Sequence, residues 1–278
     1  MRRKCIQLLS ALIYNANLKG FAEGSIYQGK GKGVCAPGLN CYSCPGAVAA
    51  CPLGSLQNSL SALPQKLPFY LMGILLLLGL FLGRIICGFL CPFGLIQELL
   101  HKIPVPKIRK NRITRILSRI KYIILLVFVV MIPLWAGITK GYSLPGFCKY
   151  ICPAGTLEGG IPLLLANENL RSIAGGLFQW KFLVLLAILA ASTVIFRFFC
   201  RFLCPLGAIY SLFAGISVFG IQVDEHKCNH CQACVRQCKM DIRKPGDGEC
   251  IQCGECISSC HKQAISWKKL KNQKEKKN

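Results

Sequence analysis

Histidine and acidic residues are both scarce in this chain of 278 residues. His101 is the only histidine before residue 226, so the apolar part offers no histidine pair to ligate a haem, which argues against a cytochrome. The 11 Asp and Glu residues face 34 Lys and Arg residues, which gives a formal net charge of +23. These basic residues adjoin long apolar runs, so the charge favours membrane-flanking segments over nucleic-acid binding. Polar residues inside those runs are almost absent, which disfavours a solute transporter.

Long apolar runs predict an α-helical membrane protein with about four transmembrane helices. The segments from Phe69 to Cys87, Tyr122 to Ile138 and Phe178 to Phe196 approach the ~20 residues that a bilayer core requires. A fourth, from Cys5 to Leu18, is short, and it fits a tilted span, an interfacial helix or a signal peptide. No small-x-small cleavage site precedes a soluble region, so we expect an uncleaved first helix.

The distribution of basic residues predicts the orientation. The segment 102–121 holds eight basic residues and no acid, and the tail 268–278 is rich in lysine. Both should therefore be cytoplasmic by the positive-inside rule, in a multi-pass protein of the cytoplasmic (inner) membrane with both termini inside. Loops 19–67 and 139–176 then lie outside.

Eight cysteines near the C-terminus carry the most specific pattern. The spacing C-x2-C-x2-C-x3-C occurs twice, 22 residues apart, as in bacterial ferredoxins with two [4Fe–4S] clusters. In that arrangement the fourth cysteine of each run ligates the other cluster. We therefore expect two ligand sets: Cys228, Cys231, Cys234 and Cys260 for the first cluster, and Cys250, Cys253, Cys256 and Cys238 for the second. Structural zinc is the alternative, although its two cysteine pairs are usually farther apart.

This pattern divides the chain into a transmembrane domain (1–223), an α+β ferredoxin domain (224–267) and a basic tail (268–278). One feature departs from the usual motif. Lys239 and His261 stand where proline normally follows the fourth cysteine, and we expect both to face solvent.

The membrane part contains an internal duplication. Three C-x3-C-P motifs occur, and the stretches 84–94 and 197–207 match over Arg-x-x-Cys-x-Phe-Leu-Cys-Pro-x-Gly. The outer loops match as well, with Tyr-Ser-x-Pro-Gly followed by Cys-Pro-x-Gly in both copies. The order in each copy is helix, outer Cys-Pro loop, helix, inner motif. This order predicts two tandem two-span repeats, related by a pseudo-two-fold axis along the membrane normal.

Proline after the second cysteine of the inner motifs predicts a helix that starts at that point. The residue before proline avoids the helical region, and proline suits the first helical position, so Cys91 and Cys204 should be helix N-caps. The helix dipole there favours thiolates, which should lower the thiol pKa. Our hypothesis is that the inner motifs together hold a further Fe–S cluster through Cys87, Cys91, Cys200 and Cys204. Arg84 and Arg197 either offset its charge or snorkel to headgroups.

The outer loops hold further cysteines, whose use the sequence leaves open. They suit a metal or cluster site and equally suit disulfides in an oxidising space. The cysteines concerned are Cys35, Cys41, Cys44, Cys51, Cys148 and Cys152. Cys5 is expected to be a packing residue of the first helix.

The inner C-x3-C-P motifs, the C-P-[FL]-G extension and the ferredoxin run together resemble the membrane-bound polyferredoxins over roughly residues 68–265. This family includes the NapH-type quinol dehydrogenase component and the membrane half of the nitrous-oxide reductase regulator. The resemblance implies four to six spans, cytoplasmic [4Fe–4S] clusters and electron exchange between the quinone pool and a redox partner.

The expected function is therefore electron transfer between cytoplasmic [4Fe–4S] clusters and a membrane quinone or a partner protein that carries flavin, haem or metal. An assembly or regulatory protein that uses the outer thiols is the alternative. Quinol oxidation also needs a proton acceptor, and Glu98 and His101 are candidates unless they only form the polar face of a surface helix. A bilayer core of ~30 Å should separate the inner from the outer cysteines, so transfer across it would need an intermediate carrier.

Overall fold

The computed structural model describes residues 2–62, 68–108 and 110–268. Most of the described chain is helical, and its one described sheet has two antiparallel strands, Ile221–Val223 and Ile265–Trp267, with Ile221 opposite Trp267. The basic tail lies outside the described residues from 269 onward. The predicted helical architecture is therefore confirmed for the described part.

The first half of the chain forms short helices around irregular loops. It also contains two π-helical segments, one that includes Cys87 and one that lies within an apolar run. The helices are Arg2–Tyr14, Lys19–Glu23, Pro52–Ser61, Phe69–Phe81, Pro92–Leu100, Arg112–Leu117, Ile120–Ile124 and Ile132–Lys140, with the 3-10 turn Lys30–Gly33 and the π-helical segments Ile86–Leu90 and Leu125–Met131.

The second half also consists mainly of short helices, and it ends in the cysteine-rich C-terminal module. Its helices are Gly146–Tyr150, Ile161–Ala166, Glu168–Ile173, Gly176–Val194, Phe198–Phe202, Pro205–Leu212, Ala233–Gln237 and Glu255–Ser258, with the π-helical segment Gly155–Gly160.

Two helical stretches are long and apolar enough to cross a membrane. Arg112–Lys140 runs for 29 residues and Gly176–Val194 for 19 residues, and the mean hydropathy of an 18-residue window is 2.4 in the first and 1.8 in the second. Only 22% and 17% of their most apolar windows are buried, whereas a core helix of a soluble protein would be mostly covered. These exposed apolar surfaces indicate contact with lipid.

The other two predicted spans are shorter than expected. Phe69–Phe81 has 13 residues, because the chain turns at Gly83, which adopts a left-handed φ of 49°. Arg2–Tyr14 also has 13 residues. Both present exposed leucines, but neither reaches the ~20 residues of a full crossing. The count of four spans therefore stays a prediction.

The C-terminal module packs against the same end of the helical part as the N-terminus and the basic loop. Arg3 lies 2.8 Å from Glu98 and 3.7 Å from Glu255 of the module. The Lys110 ammonium donates to the Cys238 carbonyl oxygen at 2.9 Å. The three regions therefore lie at one end of the helical part, and the side of the membrane on which they lie stays a prediction.

Candidate functional site

Helices begin directly after the second cysteine of both inner motifs. Cys91 is the N-cap of Pro92–Leu100, and Cys204 is the N-cap of Pro205–Leu212. The sulfur of Cys204 accepts a hydrogen bond from the Gly207 N–H at 3.4 Å. The predicted N-caps are thus confirmed, and the free N–H groups of both helices point towards the cysteines.

The fold brings the four cysteines of the two inner motifs together in the core. All four are buried, and each thiol lies close enough to the others for mutual charge repulsion. Burial, followed by repulsion from Cys200 and Cys87, raises the pKa of Cys91 to about 12. The expectation that the helix N-terminus would lower these pKa values is therefore wrong, because desolvation outweighs the dipole. We call this group the inner site; it comprises Cys87, Cys91, Cys200 and Cys204.

A buried glutamine connects the two halves of the inner site through hydrogen bonds. The Gln97 side-chain nitrogen donates to the Cys200 sulfur at 3.0 Å, and its oxygen accepts from the Phe199 N–H at 2.9 Å. Gln97 is fully buried, so this one amide fixes the position of a thiol that is 103 residues away in the chain.

Arg84 and Arg197 do not snorkel to the membrane surface, since both are fully buried. Arg84 lies 3.8 Å from the Cys87 sulfur and 3.5 Å from Glu249, and Arg197 lies 2.7 Å from Glu98. The C-terminal module covers this face and supplies Glu249, so the guanidinium groups are paired inside the protein. Their positive charge is available to the inner site.

Glu98 is a structural partner of two arginines. Its carboxylate is almost fully buried, and Arg3 donates to both of its oxygens at 2.8 Å. Burial alone would raise the pKa of Glu98, but Arg197 and Arg3 hold it below its ordinary value. The expectation that Glu98 lies on an exposed polar face is wrong, and a carboxylate held in this way is a poor proton acceptor. His101 is partly buried, and burial lowers its pKa.

Four of the outer-loop cysteines also come together. They line one cavity of about 320 Å³, and each thiol is again within electrostatic reach of the other three. Burial raises the pKa of Cys41 and of Cys148 to about 12. We call this group the outer site; it comprises Cys41, Cys51, Cys148 and Cys152.

The other two outer-loop cysteines lie apart from this group. Cys44 is buried beneath its own turn, where the N–H groups of Gly46 and Ala47 face its sulfur, and Cys35 neighbours Ser55. All nineteen cysteines fall within the described residues, and there none forms a disulfide.

The two sites lie much closer together than the thickness of a bilayer. A Cβ added to Gly38 would lie 3.1 Å from the Cα of Cys91, and Cys41 of the outer site follows three residues later. Three residues span at most about 11 Å. The rings of Phe147 and Phe199, which precede the second-half cysteines of the two sites, are 6.4 Å apart. The expected ~30 Å separation and the need for an intermediate carrier are therefore wrong.

The eight cysteines of the C-terminal module fall into two groups with exchanged fourth members. One cavity is lined by Cys228, Cys231, Cys234 and Cys260. The second group has Cys238 within electrostatic reach of Cys250, Cys253 and Cys256. The two groups contain the same cysteines as the two predicted ligand sets; that each group holds a cluster stays a prediction. The side chains of Lys239 and His261 are exposed, as expected.

Left-handed backbone turns lie within both cysteine runs of the module. His230 and Gln232 have φ values of 54° and 57°, and Gln252 and Gly254, 22 residues later, have 55° and 83°. Such turns direct successive N–H groups to one side, where they favour anions. The Gln252 N–H, for example, donates to the Cys250 sulfur at 3.4 Å.

Among the described residues, no group of three His, Cys, Asp or Glu side chains is arranged to hold a single metal ion.

Sequence reasoning missed the two residues that organise these sites. Gln57 donates to the Cys148 sulfur at 3.1 Å and accepts from the Phe147 N–H at 2.9 Å, as Gln97 does in the inner site. The shared stretch Cys-Pro-x-Gly-x-x-Gln, at 51–57 and 91–97, was the available signal.

Comparison with known proteins places these features in context. Two segments, 67–111 and 178–223, match the family described as 4Fe-4S binding domain, and they contain the inner-site cysteines. No solved structure matches the chain significantly.

Individual relatives extend the match over most of the chain. Uncharacterized protein MJ0750 of Methanocaldococcus jannaschii is 30% identical over 215 residues, covering 76% of this chain and 81% of the relative. Ferredoxin-type protein NapH of Escherichia coli K12 is 26% identical over 226 residues, covering 75% and 71%. Regulatory protein NosR of Pseudomonas aeruginosa is 31% identical over 194 residues, which are 65% of this chain and 24% of the relative.

Proposed function

The chain belongs to the NapH-like family of membrane polyferredoxins, and we propose that it passes electrons between its ferredoxin module and a membrane quinone or a redox partner by way of the inner site. Proteins of this family bind [4Fe–4S] clusters and transfer electrons. A bound cluster supplies one-electron transfer. The residues of this chain decide where clusters are held and how close together they lie.

The proposed ligands are the three groups of four thiols at the ferredoxin module and the inner site. The donor chemistry fits, because thiolate sulfur is the ligand that [4Fe–4S] clusters take. At the inner site four buried thiols converge, Gln97 and Gly207 donate hydrogen bonds to two of them, and Arg84 approaches a third. Hydrogen bonds to cluster sulfurs are among the main determinants of reduction potential.

Buried charge around the inner site supports this assignment. Two groups of buried or largely buried side chains flank it, each with two basic residues and one acid: Arg84 and Lys121 with Glu249, and Arg197 and Arg3 with Glu98. Glu255, which also approaches Arg3, is mostly exposed. Together the two groups leave two positive charges in excess. A [4Fe–4S]2+ core with four thiolates carries a net charge of −2. The two excess positive charges would balance that charge in the interior, where water cannot solvate it.

Direct contact between the module and the inner site is the observation that carries the proposal. A Cβ on Gly88, which follows Cys87, would lie 2.3 Å from the Ile251 carbonyl oxygen, so the two backbones touch. Arg84 links them again, since it approaches Cys87 and donates to the Gly248 carbonyl oxygen at 2.9 Å. Cysteines of the two groups therefore lie on either side of one backbone contact, a short path for an electron.

Iron counting on anaerobically purified protein, with EPR, tests the proposal. Replacing Cys91 and Cys204 together by serine should remove about four irons and one EPR signal, because each cubane carries four irons. Cys5→Ser is the control, since Cys5 is exposed on the first helix and far from the sites in sequence. An unchanged iron count in the double variant would refute the inner cluster.

Electron delivery is measured separately. The dithionite-reduced protein should be reoxidised rapidly by a short-chain quinone, and the double variant Cys91→Ser/Cys204→Ser should react several-fold more slowly while its ferredoxin signals persist. Equal rates in the two proteins would show that electrons leave without using the inner site.

A further inference from the structure

The outer site repeats the construction of the inner site at three of its four cysteines; the fourth, Cys41, has no counterpart at the position of Cys87. Each site joins a Cys-Pro-x-Gly-x-x-Gln stretch, at 51–57 or 91–97, to a Phe-Cys-x3-Cys-Pro-x-Gly stretch, at 147–155 or 199–207. In each, a buried glutamine donates to the first cysteine sulfur of the partner stretch and accepts from the N–H before it. The distances are 3.1 and 2.9 Å in the outer site and 3.0 and 2.9 Å in the inner site.

We propose that the outer site binds a further [4Fe–4S] cluster and extends the electron path of the proposed function to the far face of the molecule. The ligands are Cys41, Cys51, Cys148 and Cys152. Cys44 and Cys35 are not ligands, because their thiols lie outside the cavity that the other four line.

Hydrogen-bond donors lie around the sulfur of Cys51 in the outer site. Cys51 is the N-cap of Pro52–Ser61, and the N–H groups of Gly54, Leu53 and Asn40 face its sulfur. One partly buried acid also adjoins the site, because Glu158 accepts a hydrogen bond from the Cys41 N–H at 2.7 Å. Positive charge stands nearby, since the Lys181 ammonium lies 3.6 Å from the Cβ position of Gly155 and acts on Cys148. A disulfide needs no donors around its sulfurs, whereas hydrogen bonds to the sulfurs tune an Fe–S cluster.

Glycines keep space around the sulfurs. Cβ atoms at Gly159 and Gly54 would lie 3.5 Å from the Cys41 sulfur and 3.9 Å from the Cys148 sulfur. The cavity of about 320 Å³ adjoins these sulfurs and opens at the surface. A redox partner can therefore approach this site from outside the protein, which the buried inner site does not allow.

The two sites are placed for direct exchange. The segment 36–41 packs Gly38 against Cys91 and then supplies Cys41 to the outer site, and the Phe147 and Phe199 rings face each other between the sites. One electron leaves the inner cluster, whose core goes from the + to the 2+ state, and the outer cluster goes from 2+ to +. No bond to the protein breaks and no proton moves.

The iron content of the wild-type chain decides between the possibilities, and it needs no variant. Full-length protein purified without oxygen should contain about sixteen irons and sixteen acid-labile sulfides, since each cubane carries four. About twelve would overturn the outer cluster and leave the proposed function intact. About eight would overturn both. A stoichiometric zinc or copper ion, or a disulfide among the outer-site cysteines found by alkylation and mass spectrometry, would also overturn it.

A matched pair of variants locates the fourth cluster. Cys148→Ser/Cys152→Ser should lose about a quarter of the iron and keep the signals of the inner site and the module. Cys44→Ser, a buried cysteine of the same loop outside the cavity, should keep all of the iron. Loss of iron in Cys44→Ser with retention in the double variant would show that the ligand set is wrong. If the double variant does not accumulate, the milder Cys41→Ser takes its place with the same expected loss.

Discussion

At the scale of single residues, the sites depend on polar side chains that the cysteine spacing does not reveal. Gln57 and Gln97 each make two hydrogen bonds at full burial, one to a sulfur and one to a backbone N–H. Each glutamine therefore has a structural and an electronic role. Because the two glutamines make equivalent hydrogen bonds, a substitution of one serves as the control for the same substitution of the other.

Replacing Gln97 by leucine leaves the Phe199 N–H without its partner. The buried donor should cost about 1–3 kcal/mol of the free energy of unfolding, measured by thermal or denaturant unfolding. Loss of the hydrogen bond to Cys200 should also lower the reduction potential of the inner site, because hydrogen bonds to sulfur stabilise the more negative reduced state.

The matched variant Gln57→Leu separates these effects. It should cost similar stability, through the Phe147 N–H, but shift a different EPR-monitored potential. If both variants moved the same redox signal, or neither moved any, the glutamines would have only a packing role.

At the scale of elements, the fold depends on where short segments meet. Proline after cysteine correctly predicted the helix starts at Cys91 and Cys204, because this is a local steric effect. The internal duplication predicted that the two inner motifs pair, although Cys91 and Cys200 are more than a hundred residues apart. The burial of Arg84 was missed, because its partner Glu249 comes from the distant module and no local pattern indicates that contact. The approach of the segment 36–41 to Cys91 had no sequence signal.

Because Gly88 of the inner motif contacts the backbone of the module, adding one methyl group at Gly88 should have a strong effect. In Gly88→Ala the new Cβ would lie 2.3 Å from the Ile251 carbonyl oxygen, and backbone cannot yield easily. The module should be displaced, with a loss of about 1–3 kcal/mol as for other overpacked sites. Limited proteolysis should then cleave the chain near residue 224 several-fold faster than in the wild type.

Gly73→Ala is the control for this substitution. Nothing lies within 4 Å of a Cβ at Gly73, which is in the helix Phe69–Phe81. Alanine there should be neutral or stabilising by up to about 1 kcal/mol. Equal protease sensitivity of the two variants would show that the module is not held by the Gly88 contact.

At the scale of the whole molecule, one long helix defines the two ends. Arg112–Lys140 has 29 residues and so spans about 43 Å, enough to cross the bilayer. Its first end adjoins the module, since Thr114 donates to Asp241 at 3.0 Å and Lys121 pairs with Glu249. Its second end is capped by Gly141, which adopts a left-handed φ of 68°.

Reporter fusions test this placement. An alkaline phosphatase, active only outside the cytoplasm, should be active when fused after Gly141 and inactive when fused after Trp267. A fluorescent protein that matures only inside should give the reverse pattern. Matching activity at both positions would contradict the orientation inferred from the basic segment 102–121.

Each four-thiol site of the helical part draws two cysteines from either half of the duplication. A nascent chain that has emerged only as far as residue 111 carries Cys41, Cys51, Cys87 and Cys91, which is half of each site and the whole of neither. The binding geometry at Cys87 and Cys91 first exists when Cys204 has left the ribosome. Neither half of the duplication alone therefore supplies the four cysteines of an inner or an outer cluster, and assembly of either proposed cluster would have to wait for the second half.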